Sequence, residues 1–559
     1  MSSSRSRQDA QSVRRLTFNM SLFERILAAR GLSGDVAEEF LKPDYDKQHD
    51  PFWLPDMAKA VERIVLARER QEKVTIYGDY DIDGLTATTV MLDALAAFGF
   101  SDVEAFIPNR FVEGYGLTVE AVETIAADGT KLILTVDCGS LSHKEIVRAN
   151  ELGIDVVVTD HHNVSEVQPP AIAVVNPKRQ GHQYPFIDLA GVGVAFKLVQ
   201  ALRTRLPGLP VGTEKWMLDL VALGTVCDVV SLKDENRVNV FWGLQVLRKT
   251  RRPGLRALMA VAKVEPETLN SRSLGFALGP RMNAAGRLET ARHSLDMLLA
   301  TDDQSAFEKA EQLDALNQAR RADQSAIFKE AVLQAEEFRD SPVLVLSGPD
   351  WNHGIVGIVA AKLLEKYQKP TYVLQEMGES SKGSARSFGG FSAVGAIRAA
   401  DDIITKGGGH TLAAGVTLPT ANIDAFRQRV NEFYKSLNLT NQAALLLPKE
   451  DVIIDDFSEV TEDFVAQLAK LEPFGSGNPE PILKINDVIV VDQRRMGTDG
   501  QHVKLEVKDS SGRRLQMLAF SAPAHFFAEP GEVVKVVFQP SMNDWNGRRT
   551  IEGRLLELE

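Results

Sequence analysis

The stretch Val74-Thr75-Ile76-Tyr77-Gly78-Asp79-Tyr80-Asp81-Ile82-Asp83-Gly84 decides the fold class. Four β-branched or aromatic residues run into a turn that carries three aspartates. Apolar residues at helical spacing then run from Leu85 to Phe98. The alternation returns downstream. β-rich runs at Val103–Ile107, Leu132–Val136, Ile154–Thr159 and Ile172–Val175 are separated by helical patterns such as Leu141–Leu152. Strands alternating with helices predict an α/β domain, a mostly parallel sheet covered on both faces. Helical segments near 190–206, 214–227 and 236–262 complete it.

The ends of those strands carry the chemistry. The first is followed by Asp79, Asp81 and Asp83, the third by Asp137, and the fourth by Asp160-His161-His162. Asp228 closes the apolar run 218–226. Ligands of parallel α/β sheets bind outside the carboxyl ends of the strands, so these side chains converge on one edge. A lone aspartate after a strand is usually a helix cap or a turn former. Repetition from strand to strand, with two histidines on one of them, points instead to metal. Clustered carboxylates repel unless cations neutralise them. Oxygen-dominated ligation with an imidazole suits Mn²⁺ or Mg²⁺ better than Zn²⁺. Two such ions about 3.5–4 Å apart would clamp the attacking and leaving oxygens of a phosphoryl transfer.

Further domains follow outward from this core. Residues 1–50 read as a tail and small lobe, and 51–300 as the catalytic domain. Residues 301–340 contain neither Gly nor Pro and keep helical spacing, so they predict one long connecting helix, with two shorter helices as the alternative. A second α/β lobe spans 341–440, with a strand at 343–346, a helix at 355–367 and a strand at 371–374. The turn-rich Pro473-Phe474-Gly475-Ser476-Gly477-Asn478-Pro479 marks 441–480 as a linker. Five β-rich runs in 481–559 predict a small barrel of the OB type, with an SH3-like barrel as the alternative.

Composition limits the function classes. The chain has 559 residues, 44% hydrophobic and 25% charged, which is the range of an ordinary globular protein of several domains. No apolar run approaches the length of a membrane span, and the polar first twenty residues do not read as a secretory leader. Two cysteines, Cys138 and Cys227, are too few for a disulfide framework or a cysteine zinc site and read as small buried fillers in a cytoplasmic protein. A net charge of −13 argues weakly against nucleic acid. Charge is uneven, however: residues 241–290 hold nine Lys/Arg against three Asp/Glu. Such a patch suits a groove for a polyanion. No P-loop, H-E-x-x-H or G-x-S-x-G occurs, and Gly191-Val192-Gly193 begins a dinucleotide fingerprint but lacks its third glycine.

Asp81-Ile82-Asp83-Gly84 with Asp160-His161-His162 resembles the DHH phosphoesterase superfamily. Within it, 108–116 (PNRFVEGYG), 224–228 (GTVCD), 279–287 (GPRMNAAGR), 384–387 (SARS) and 408–415 (GGHTLAAG) are similar to the bacterial RecJ-type exonucleases. The similarity covers about residues 50–559; Cys227 stands where the resemblance expects alanine. It implies a single-stranded-DNA-specific 5′→3′ exonuclease that releases mononucleotides with two Mn²⁺ or Mg²⁺ ions, in recombination and repair. Asp81, Asp137 and Asp228 would hold one ion, and Asp83, Asp137 and His161 the other. Asp79, Asp160 and His162 would support them or touch the scissile phosphate. Arg110, Arg281, Ser384 and Arg386 would take the backbone and the 5′ phosphate, with Tyr115, Asn283, Arg287, His353 and His410 as further substrate contacts. Arg494, Arg495, Lys504, Arg513 and Trp545 of the barrel would hold the strand farther away. A helicase and a single-strand DNA-binding protein are the implied partners, the chain is expected to be a monomer, and no membrane is involved. Two rivals remain: a DHH enzyme for small substrates (nano-oligonucleotides, phosphoadenosine phosphate or cyclic dinucleotides), and a non-enzymatic DNA-binding scaffold.

Overall fold

The computed structural model describes residues 20–440, 442–545 and 547–559, the side chains of Ala443 and Trp545 excepted. The expected tail at 1–19 lies outside the described residues. The chain divides into two compact units, one of residues 50–228 and 243–446, the other drawn from 1–49, 229–242 and 447–559.

The first unit holds two sheets. The strands β1 (Val74–Gly78), β2 (Val103–Phe106), β3 (Leu132–Val136), β4 (Asp155–Thr159) and β5 (Ala173–Val175) lie in the order β2-β1-β3-β4-β5, every neighbouring pair parallel. Every residue of β1 and β3 is buried, as expected of strands covered on both faces. Helix α1 (Ile82–Ala97) packs on α2 (Gly191–Arg203) and α3 (Leu218–Cys227). Helix α4 (Gly279–Leu288) lies along α5 (Asp303–Glu337), a single helix whose 35 residues span roughly 50 Å. The Asp302 side chain caps it by accepting from the Ser305 N–H at 2.8 Å.

Helix α5 leads into the second sheet: β6 (Leu344–Gly348), β7 (Thr371–Met377), β8 (Ser380–Arg386), β9 (Lys406–Gly409) and β10 (Ala413–Pro419). Their order is β6-β7-β8-β10-β9, and only β6 and β7 are parallel, joined through α6 (Val356–Tyr367). Tight turns allow the antiparallel remainder, whereas a parallel pair needs a crossover.

The second unit is the barrel. The strands β11 (Val452–Ile454), β12 (Leu483–Met496), β13 (His502–Lys508), β14 (Arg514–Ala519), β15 (Val533–Trp545) and β16 (Arg548–Leu558) run β11-β12-β13-β14-β16-β15, and β12 also pairs with β15. That closes a five-stranded OB-type ring, with β14 and β16 parallel and β11 added outside it. Two expectations are corrected here. Residues 441–480 are not a plain linker: β11 lies in them, and Phe457, Phe464, Leu468 and Leu471 enter the barrel's core. The helix Leu22–Ala29 likewise forms no separate lobe, because Leu22, Phe23, Ile26 and Leu27 pack into that same core. Both elements are short. Too few turns repeat to stand out from the polar residues around them.

Candidate active site

The carboxyl edge of the first sheet collects the acids. Asp79 follows β1. Asp81 caps α1, its Oδ1 accepting from the Asp83 N–H at 2.9 Å and the Gly84 N–H at 3.2 Å. Asp83, in the first turn of α1, is held from across the site: the Gly191 and Val192 N–H groups, at the start of α2, donate to its carboxylate at 2.6 and 2.8 Å. Asp137 follows β3 in the left-handed region, φ 62°. Asp160 follows β4, and Asp228 ends α3.

These side chains leave bonding capacity unused in a buried place. Asp79 Oδ1, Asp137 Oδ1, His161 Nε2 and Asp228 Oδ2 have no hydrogen-bond partner. His161 Nε2 lies only 3.1 Å from Asp137 Oδ1 and 3.6 Å from Asp228 Oδ2, yet hydrogen-bonds to neither. Buried polar atoms ordinarily find partners, so converging lone pairs without protons between them suit a cation. Three groupings have ligand atoms within 4.8 Å: Asp137, His161 and His162; Asp83, His161 and Asp228; Asp79, Asp81 and Asp137. These groupings differ from the division expected from the sequence in two respects: Asp228 stands with Asp83 and His161, and Asp79 joins Asp81 and Asp137. Carboxylate oxygens with imidazole nitrogen fit Mn²⁺ or Mg²⁺.

Burial and neighbouring charge divide the titrating groups. Burial and then the Asp81 charge push Asp83 up to about 7. Burial with the charges of Asp83 and Asp81 pushes Asp228 up to about 9. Asp79 and Asp137 are raised by the same causes. Asp160 goes the other way. Burial would raise it, but His162 outweighs this with its hydrogen bond and its charge. Asp160 Oδ1 accepts from the N–H groups of His161 and His162 at 2.7 and 3.0 Å and lies 2.9 Å from His162 Nδ1, while Oδ2 accepts from the Ser140 N–H at 2.9 Å. The two histidines therefore differ. Burial and the His162 charge hold His161 down to about 3, leaving it a neutral ligand, whereas Asp160 overcomes burial at His162 and raises it.

A pH dependence follows. Raised Asp83, Asp228 and His162 bind protons more tightly folded than unfolded, so their contribution is present at low pH and lost as pH rises through the folded values. His161, lowered, opposes this only below its unfolded value near 6.5. Between pH 7 and 9 the metal-free protein should lose on the order of a few degrees in melting temperature. Mg²⁺, which needs ionised carboxylates, should raise the melting temperature more at pH 9 than at pH 7. A scanning-calorimetry pair at the two pH values checks this; a metal-free protein more stable at pH 9 contradicts it.

Beside the acids the arginines Arg110, Arg287 and Arg386 cluster where the two lobes of this unit meet. Arg110 sits 4.2 Å over the Tyr80 ring, and its Nε is buried without a partner. Arg287 Nη1 donates to the Gly354 carbonyl at 3.0 Å, and burial with the charges of Arg110 and Arg386 holds it down to about 10. On β8 burial alternates, placing Lys382, Ser384 and Arg386 on one half-exposed face. That face meets the start of α6, which has no side-chain cap: a Cβ on Gly357 would lie 3.2 Å from Arg386 Nη2 and 3.4 Å from Ser384 Oγ. An uncapped helix start beside a serine and an arginine is built to receive an anion. Tyr115 is 51% exposed, with its ring 5.4 Å from that of His162.

Other expected contacts are engaged within the protein. Arg281 forms an ion pair with Asp314 of α5 at 2.8 Å and donates to the Ala277 carbonyl at 2.7 Å, so it ties α4 to α5. The His353 N–H donates to Gln375 Oε1, which also lies 2.8 Å from its Nδ1; that ring holds a turn and meets Phe111 edge-on at 5.1 Å. Exposed His410 reaches across to the first lobe, where Asn163 Nδ2 lies 3.3 Å from its Nδ1. Asn283 is half-buried on α4. In the barrel Arg494 pairs across strands with Lys504, Arg495 lies 4.1 Å over Phe527, and Arg513 is exposed in the turn before β14. The Trp545 side chain lies outside the described residues. Sequence reasoning missed Asn176, whose Nδ2 donates to Ser140 Oγ and the His162 carbonyl at 2.8 and 2.9 Å. Its place directly after β5 is the signal that found the acids. It also missed Lys382, which only the alternation along β8 exposes.

Residues 73–225 match the DHH family N-terminal domain, residues 340–436 the DHHA1 domain and residues 453–557 the RecJ OB domain. The chain is 37% identical over 552 residues to the single-stranded-DNA-specific exonuclease RecJ of Bacillus subtilis, covering 97% of this chain and 69% of that protein. To the protein of the same name from Escherichia coli it is 34% identical over 556 residues, covering 95% and 94%. The crystal structure of Thermus thermophilus RecJ in complex with Mn²⁺ superposes with a TM-score of 0.81 at 30% identity, covering 96% of this chain and 75% of that one. RecJ of the same organism in complex with Mg²⁺ matches at 0.74. With all three parts of the chain matched and relatives 34–37% identical over at least 95% of its length, the chain belongs to the RecJ exonuclease family.

Proposed function

We propose that this chain is a single-stranded-DNA-specific exonuclease that removes mononucleotides from the 5′ end by metal-assisted phosphodiester hydrolysis. The observation that carries the reading is the juxtaposition of buried, unpartnered acid and imidazole atoms with a cluster of guanidinium groups. Asp81, Asp83, Asp137, His161 and Asp228 would hold two ions of Mn²⁺ or Mg²⁺, and Asp137 and His161 each belong to two of the three groupings. Bound there, the ions supply Lewis-acid stabilisation of phosphoryl charge. The chain's own groups do the rest. Neutral His161 offers Nε2, and His162, whose pKa the Asp160 carboxylate raises, faces the phosphoryl oxygens. Asp79 stands beside Asp81 and Asp137 and steadies them.

Arg110, Ser384, Arg386 and the start of α6 take the terminal phosphate. A guanidinium forms paired bonds to phosphate oxygens, and a monoester end offers more of them than an internal diester. Tyr115 stacks on a base, and the exposed Arg494 and Arg513 with half-buried Lys504 hold the trailing strand on the barrel without reading sequence. Work on single strands during recombination and repair requires a helicase to open duplex and a single-strand binding protein to keep it open. We place the chain in the cytoplasm as a monomer; no helix among the described residues is long and apolar enough to cross a membrane.

The test is incubation with Mn²⁺ and single-stranded DNA labelled at either end, beside a duplex. Early mononucleotides from the 5′-labelled single strand, with the duplex spared, are expected. Turnover of dinucleotides or phosphoadenosine phosphate without attack on the polymer would move the chain to the small-substrate branch.

A further inference from the structure

We propose that Arg320 of α5 is a further substrate-phosphate residue, and that it makes a phosphorylated 5′ end a better substrate than a hydroxyl end. The inference rests on the exonuclease reading above and assigns that site a residue the sequence did not suggest.

Position comes first. Helices α4 and α5 run side by side in the same direction: Arg281 of α4 pairs with Asp314 of α5, and Leu288 farther along α4 packs into the cluster that contains Ile327 of α5. Arg320 lies between Asp314 and Ile327 on α5, as Arg287 lies between Arg281 and Leu288 on α4. The two guanidiniums therefore come to the same stretch of the arginine cluster, near enough for the Arg320 charge to act on Arg287. From there Arg287 reaches the Gly354 carbonyl just before α6, and α6 begins against Ser384 and Arg386.

The partners of Arg320 are unusual for a helix-borne arginine. Nη1 donates to Gln324 Oε1 at 2.9 Å and Nη2 to Asn317 Oδ1 at 2.7 Å. Both acceptors are neutral amides, and both are buried. The Nε is buried with no partner, and no carboxylate pairs with this side chain among the described residues. Arg281, which does tie helices together, shows the contrast, since it is neutralised by Asp314. Arg320 is oriented by its own helix with its charge left over. A partly buried cation without a counter-ion is costly, and the cost grows beside others of the same sign. Arg287 feels Arg110, Arg386 and Arg320 together. An incoming anion removes that cost. A terminal phosphate monoester carries up to two charges, whereas a hydroxyl end offers only the single charge of its first diester.

The experiment compares kcat/KM on one oligonucleotide with a 5′ phosphate or a 5′ hydroxyl, for wild type, Arg320→Gln and Arg320→Lys, with Mn²⁺ affinity and melting temperature recorded for each. The wild type should prefer the phosphorylated strand. Arg320→Gln should lose about 10- to 100-fold on that strand and several-fold less on the hydroxyl strand, so that the preference collapses. Arg320→Lys, which keeps charge but not the planar fork, should fall between, with Mn²⁺ affinity unchanged in both variants. Equal losses on the two strands would mark Arg320 as structural and overturn the proposal. So would an intact preference in either variant, or a wild type that ignores the phosphate. If Arg320→Gln does not fold, the same ratio is read on Arg320→Lys. A wild type that degrades neither strand overturns the exonuclease reading instead.

Discussion

Replacing Asp137 by asparagine should lower kcat on single-stranded DNA by about 10³-fold or more while raising the melting temperature of the metal-free protein. Both effects come from one carboxylate. Asp137 is buried, its Oδ1 has no hydrogen-bond partner, and burial together with the charges of Asp83, Asp81, Asp79 and Asp228 raises its pKa. Every neighbour that would help hold a cation thus destabilises the site when no cation is there. Asparagine keeps the shape and tolerates the left-handed backbone at φ 62°, where alanine would add strain of roughly 1–2 kcal/mol. Only the charge is lost. Removing one stabilising donor from an oxyanion site typically costs 10²–10³ in kcat, and Asp137 belongs to two of the three ligand groupings, so its loss should exceed that range. Melting curves with and without Mn²⁺, alongside single-turnover cleavage, check both halves. A variant with near-wild-type turnover would remove Asp137 from the metal site.

The fold's first sheet and most of its acids were legible because two periodicities coincide there. Strands buried on both faces read as continuous apolar runs, and the residue after each strand falls on the binding edge whatever its side chain does. Asp79, Asp137, Asp160 and even the unnoticed Asn176 obey that rule. The barrel's five closing strands were legible for a different reason: β-rich runs whose residues alternate between buried and half-exposed, separated by turn residues. What stayed hidden depends on partners distant in sequence. Nothing near Arg281 announces that Asp314 will neutralise it, and nothing near Arg320 announces that no carboxylate will. Residues 441–480, read as a linker, and the helix Leu22–Ala29 were misread because each contributes only a few apolar side chains to the barrel core, from elements too short to show a period. The division of ligands into groupings was equally out of reach, since spacing along the chain does not tell which carboxylate turns toward which.

The most instructive stretch is Gly191-Val192-Gly193, and substituting its first glycine should cost about 10²-fold or more in turnover. In the sequence it is a failed dinucleotide fingerprint. In the structure it does what such a motif does, presenting the N–H groups of a helix start to an anion, but the anion is the protein's own Asp83, held at 2.6 and 2.8 Å. Those two bonds oppose the burial and repulsion that push Asp83 up to about 7, and so help keep it ionised for a cation. The missing side chain has a second use. A Cβ on Gly191 would lie 2.4 Å from Asp137 Oδ1 and 2.7 Å from its Cγ, contacts that real Cβ atoms do not make. Gly191→Ala must therefore displace either the Asp137 carboxylate or the helix start that holds Asp83. Because displacements of about 1 Å can cost 10²-fold, the variant should lose turnover and Mn²⁺ affinity together. Gly275→Ala is the matched control: its added Cβ would meet nothing nearer than Val226 Cγ1 at 3.8 Å, so turnover should stay within about 2-fold of wild type. Calorimetric Mn²⁺ titration and single-turnover cleavage on the two variants decide the matter. If Gly191→Ala binds Mn²⁺ and cleaves like Gly275→Ala, the start of α2 plays no part in holding the ligands, and the ionisation of Asp83 must be secured by the cation alone.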